Sequence, residues 1–300
     1  MNAVRGFFSG VFGFLLFDVL VFLGLIVSLN MTVLNPDFVT AELKKLDVYS
    51  MVMEQARTML PGQQYIDAET IDELAQELQP WFEEQADKII HGVYTYLKED
   101  RELNVVVTLE QVRALAKEKV REAATSSLPA ELLGASQSQI DAYMSQIYAG
   151  IDGVIPASFV LNEAAAGSQA MAQLEQVKQI IGYINTAYKI LIAAAILLVL
   201  LIALVHWWQP KPIIRSIGIT FIVVGVACIL GPLLDYLIVQ LLSQVMGSTS
   251  ALSGLQSKLP QLAADLTAPL RSYGIGFLIS GIAMTVISFL FSSLQASQTS

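Results

Sequence analysis

Between Lys189 and Lys211 the chain runs for 21 residues without a charge. At about 1.5 Å per helical residue, that is enough to cross the roughly 30 Å hydrocarbon core of a bilayer. In lipid a backbone must satisfy its own hydrogen bonds, so such a run is committed to a helix. Three more runs share this character. One covers about Phe7 to Leu29 and is broken only by Asp18, another lies between Arg215 and Asp235, and the last follows Arg271. A composition of 54% hydrophobic and 14% charged residues, with a mean hydropathy of +0.58, fits a membrane class.

The expected fold is all-α, with four transmembrane helices and a mostly helical extracytoplasmic domain inserted between the first and second spans. The organisation predicted is a first span within residues 1–33, a helical domain over 34–187, and a three-helix membrane region over 188–300. The last three spans fall at about 188–208, 213–242 and 270–294. The first run is long for a signal-peptide core and SLNMTVL offers no A-x-A cleavage site, so it reads as a retained anchor.

Lys and Arg in short loops are held on the cytoplasmic side. Arg5, Lys211 and Arg215 flank span ends, with Trp207 and Trp208 beside them as interface anchors, so both termini are expected inside and the segment 34–188 outside. That segment holds 23 acids against 11 bases. Such a balance disfavours nucleic acid and anionic headgroups as partners, and mostly serves solubility.

Within the domain, Asn35-Pro36 is a helix start, and apolar residues from Val39 to Leu60 recur at three and four until Pro61-Gly62 stops them. A short helix over about 70–80 is expected to end at Pro80, and the next to begin there. NVVVTL, 104–109, is the one strand candidate. Ser136 is placed to cap a helix, GIDGVIPASF reads as an irregular connection, and the pattern from Ser168 continues as one helix into the second span. The segment 244–268 reads as a loop with a short helix at Pro260.

Asp18 is the residue in most need of explanation, since an ionisable group inside a span is a functional hypothesis by default. With Gly10, Gly13 and Gly24 in its own span and Gly218, Gly225 and Gly231 in the third, the expectation is a polar contact inside a helix bundle; conduction along a hydrated path is the alternative. Asp235 invites comparison with intramembrane aspartyl proteases, but FLLFD and GPLLD lack the Gly-x-Gly-Asp signature, and residue spacing puts the two carboxylates at different depths. Gly276 and Ser280, at i and i+4, offer a small packing face, as do Gly274 and Gly281 at i and i+7. His91 has no H-E-x-x-H context, and His206 sits by the Trp anchors. One cysteine, Cys228, and two distant histidines cannot supply a metal site or an exterior disulfide. No catalytic residue, cofactor or metal is nominated.

The order of anchor, NPDF at a helix base, QPWFEEQADKIIHGVYTYL in a helical domain, and three closely spaced spans resembles an uncharacterised group of prokaryotic four-span envelope proteins. The domain is also similar to helical sensor ectodomains of chemoreceptors and histidine kinases. Those receptors carry a signalling domain after the second span, whereas about seven residues separate the second span from the third here. The resemblance covers the layout of the chain and carries no activity. The function expected from the residues is a non-enzymatic envelope scaffold or ligand- or partner-binding membrane protein acting through its helical exterior domain, with lipids and a protein partner or a second copy as its company. A pore or transporter component using Asp18 is the alternative.

Overall fold

The computed structural model describes residues 2–51, 68–99, 101–126, 136–230, 232–246 and 256–297. In chain order the elements are α1 (Asn2–Met31), α2 (Pro36–Lys45), α3 (Ala68–Glu99), β1 (Asn104–Thr108), α4 (Glu110–Ser126), α5 (Gln137–Val154), β2 (Ser158–Asn162), α6 (Glu163–Val205), α7 (Pro210–Ile229), α8 (Pro232–Met246) and α9 (Leu259–Ser297). The chain divides into two compact units: residues 1–42 with 179–300, and residues 43–178.

The first unit is a helix bundle. Four stretches are long and apolar enough to cross a membrane: Gly6–Met31, Glu163–Val205, Pro210–Gln244 and Gln256–Phe289. Its core joins Leu16 and Leu20 of α1, Leu198 and Ile202 of α6, Ile217, Val224 and Cys228 of α7, and Leu270 of α9. The tightest seam lies between α7 and α9. There Gly218 and Gly225 face Gly281 and Gly274, so that a Cβ added to Gly225 would lie 2.6 Å from the Leu278 nitrogen and 2.8 Å from the Gly274 oxygen. Small residues permit such approach where lipid supplies no hydrophobic drive between helices. Gly276 has open space around it and Ser280 is exposed, so that pair does not form the seam within this chain.

Three helix boundaries differ from the sequence expectation. The second long apolar helix ends at Val205, where Trp207 (φ 51) and Trp208 (φ 59) take left-handed backbone and reverse the chain. Their amides bond back to Leu204 and Ala203, each at 3.0 Å, capping the helix. The expected span over 213–242 is two helices, α7 and α8, because Pro232 lacks the amide needed to continue a helix and suits a first turn. The helix expected at Pro260 is present, and it is not short: it is the beginning of α9, which passes through Pro269 into the last apolar stretch. Residues 247–255 of the expected loop lie outside those described.

In the second unit, α3 runs through Pro80, where a stop was expected. Packing explains the difference. Trp81 Nε1 donates to the Thr108 carbonyl at 2.8 Å and buried Gln85 accepts from the Thr108 amide at 3.2 Å, so tertiary bonds just beyond Pro80 hold the helix against its local preference. β1 lies on α3 with Val105 and Val107 buried, and Gly92 has no room for a Cβ beside Val105. β1 pairs antiparallel with β2, Val106 opposite Val160, so a second strand occupies part of the expected irregular connection. SFVLN is too short to have declared itself. The helix from Asn35-Pro36 breaks at Asp47, whose φ of 58° Asp tolerates, with Ser50 Oγ donating to its carboxylate at 2.5 Å. The expected stop at Pro61-Gly62 lies outside the described residues. Ser136 does cap α5, its amide donating to Gln139 Oε1 at 2.9 Å. α6 has non-helical backbone at Gly167 (φ 79) and continues from there to Val205.

Candidate functional site

Three polar features of the bundle carry the chemistry available to it. The first is Asp18. Along α1 the buried positions are Leu16, Leu20, Gly24 and Ser28, a stripe at four-residue spacing. Asp18 stands two residues from Leu16, about 200° around a helix of 3.6 residues per turn, and so on the opposite side. It shares that side with Phe7, Phe14 and Phe22, which are 68%, 63% and 59% exposed. Among the described residues Asp18 has no hydrogen-bond or ion-pair partner. The polar contact expected of it is not found among the described residues. A carboxylate at the centre of a spanning helix costs about 2.5–3.5 kcal/mol by insertion scales, so its placement calls for a partner.

The second feature joins α8 to α9. Asp235 accepts from Thr267 Oγ1 at 2.6 Å and forms an ion pair with the Arg271 guanidinium. Sequence spacing missed the pair because the fourth span was counted from residue 270, leaving Arg271 at its edge; in the structure α9 begins at Leu259 and Arg271 lies within it. Beside the pair, Ser28, Thr32, Thr267 and apolar side chains of α1, α8 and α9 line a cavity of about 360 Å³. Ser28 Oγ donates to the Leu266 carbonyl at 3.2 Å and Tyr273 to the Leu20 carbonyl at 3.1 Å, tying α1 to α9.

The third feature is at the Trp end of the bundle. Ser9 Oγ lies 3.0 Å from His206 Nε2 and 3.3 Å from Ser216 Oγ, beside a groove of about 540 Å³ lined by Gly10, Gly13, Phe17, Ser216 and Thr220. A hydroxyl and an imidazole at this distance are the start of a nucleophile and base; of the other hydroxyls on the groove, Thr220 Oγ1 donates to the Ser216 carbonyl of its own helix at 3.1 Å. The contact ties α1 to the turn before α7. Trp207 and Trp208 are 70% and 66% exposed, and Lys211 and Arg215 are exposed in the first turns of α7.

In the second unit three polar groups have clear partners. Tyr96 is buried and its hydroxyl donates to Glu175 Oε2 at 2.9 Å, with Lys178 Nζ 4.8 Å from the ring centre. The bond to Glu175, then burial, holds the Tyr96 phenol above its ordinary value. Asp152 accepts from Lys117 Nζ at 2.8 Å and Arg113 Nε at 3.0 Å, and the lysine first of all keeps its carboxyl below the usual range. His91 Nδ1 lies 3.0 Å from the Asp87 carbonyl within its own helix. Among the described residues no three His, Cys, Asp or Glu side chains gather as a metal site. Comparison of the chain with known protein families, curated proteins and solved structures finds no match.

Proposed function

We propose that the chain is a non-enzymatic four-span membrane protein whose acidic helical unit stands on the extracytoplasmic side and binds or scaffolds a protein partner. The four apolar stretches support the membrane setting, and the positions of Arg5, Lys211 and Arg215 support the orientation. The observation that carries the binding role is the outward face of the sheet. Val106 and Val160 are paired across it at 50% and 40% exposure, and Val154, just before β2, is 82% exposed. Apolar side chains paired across an open sheet face on an acidic unit mark an interaction surface better than scattered ones do. The partner is a protein; nucleic acid is disfavoured by the acidic charge.

The test places photo-crosslinking side chains at 106, 154 and 160 of the full chain in its native membrane, with positions 84 and 101 as exposed controls. A discrete adduct from the three valine positions alone supports the reading. Adducts from none of them, or the same adducts from the controls, overturn it. A second reading, a pore or transporter component, is favoured by one observation, that Asp18 has no hydrogen-bond or ion-pair partner among the described residues. It requires Asp18→Asn to change ion or proton flux in reconstituted vesicles, and unchanged flux removes it.

A further inference from the structure

We infer that the Asp18 face of α1 is the contact with a second, parallel copy of this chain, in which the two Asp18 carboxyls hydrogen-bond to each other across a two-fold axis. The inference rests on α1 being a membrane span.

Phe7, Val11, Phe14, Asp18, Phe22 and Leu29 recur at helical spacing on the side of α1 opposite its buried stripe. Five of these six need no cover in lipid, because hydrocarbon satisfies Phe, Val and Leu as well as a protein would. Only Asp18 does. Whatever covers it must bring one hydrogen-bonding group to one depth on an otherwise apolar face.

A second copy meets that demand by symmetry. A two-fold axis along the bilayer normal brings each residue near the axis against itself at the same depth, with no other polar group required on the face. One carboxyl donates its O–H and the other accepts with a carboxylate oxygen. The cation inside the fourth apolar stretch that might otherwise have served, Arg271, is engaged by Asp235 in its own chain. The large rings at 14 and 22 flank Asp18 one turn on either side and would close over the carboxyl pair, keeping lipid from it. The 4-3-4 spacing of 7, 11, 14 and 18 is also the spacing with which two helices interlock along a shared seam.

The test uses single cysteines in the full chain with Cys228→Ala, oxidised in native membranes. Expected is a covalent dimer from cysteines at 11, 14 and 22, at least tenfold stronger than from 12, 19 and 23 on the other side of the helix. With cysteine at 14, Asp18→Leu should cut the dimer at least tenfold while Asp18→Asn, whose amide can pair with itself, retains it. No dimer from the Asp18 face, equal dimer from both sides, or dimer from a cysteine at 280 in place of 14 would overturn the proposal; so would undiminished crosslinking in Asp18→Leu. Alkaline extraction of the same samples separates the two levels. Protein that stays in the membrane pellet without crosslinking refutes the pairing alone, whereas protein released from the pellet refutes the span on which it rests.

Discussion

Gly225→Ala adds one methyl group at the closest approach of α7 and α9, and its effect can be worked from distances. The new Cβ would meet the Leu278 nitrogen at 2.6 Å and the Leu278 Cα and Gly274 oxygen at 2.8 Å. These are backbone atoms and cannot rotate away. A comfortable carbon contact is about 3.5–4.0 Å, so the helices must part by somewhat less than 1 Å, and the seam on either side loses dispersion contacts as it opens. Overpacking of this kind costs about 1–3 kcal/mol, roughly a 5- to 150-fold shift in the unfolding equilibrium. Gly276→Ala makes the same chemical change two residues from Gly274, where nothing lies within 4 Å. It should be neutral or gain up to about 1 kcal/mol from the better helix propensity of Ala. Both variants would be unfolded in mixed micelles of rising SDS fraction, with near-ultraviolet circular dichroism reporting tertiary packing. A Gly225→Ala midpoint equal to wild type, or a Gly276→Ala midpoint below that of Gly225→Ala, would refute the assignment of the seam.

Other outcomes follow from the polar pairs. Arg271→Met leaves Asp235 in the bundle with only Thr267 and should destabilise by about 1–3 kcal/mol, less than a fully buried pair because both partners are partly exposed; the double variant Asp235→Leu with Arg271→Met should recover most of that loss in the same micelle titration. The raised Tyr96 phenol gives stability that is complete below the ordinary value of 10.0 and is lost as pH rises through the folded value, since the unfolded chain ionises first. Tyr96→Phe should therefore lose stability at neutral pH, through the Glu175 bond, yet show a shallower fall above pH 10, measured by thermal unfolding of the detergent-solubilised protein. An equally steep alkaline fall in the variant would place the titrating group elsewhere.

The four long apolar stretches were legible because a run such as 190–210 admits one solution in lipid, and the helix caps near Ser136 and Asn35-Pro36 were legible because capping is local chemistry. What sequence left open depended on phase and on tertiary bonds. The face on which Asp18 falls is fixed by Gly13, Leu16, Leu20, Gly24 and Ser28, small or apolar residues at three- and four-residue spacing, a signal present in the sequence. α9 carries two small faces, and nothing local distinguishes Gly274 with Gly281 from Gly276 with Ser280; the choice is made by the glycines of α7. Pro80 was misleading because its local preference is real, and only the bonds from Trp81 and Gln85 to β1 override it. The partner of Arg271 is not legible locally, because a lone charge marks the border of an apolar run as readily as its interior, and only the ion pair with Asp235, 36 residues away, lets it lie inside a helix.

The central claim is that the acidic helical unit and the turn after Val205 lie on opposite sides of one membrane. Single cysteines at 84 and 211, with Cys228→Ala, can be labelled in intact cells with a membrane-impermeant maleimide. The account predicts labelling at 84 in intact cells and at 211 only after permeabilisation. Labelling at 211 in intact cells, or equal labelling of both positions before permeabilisation, would contradict it.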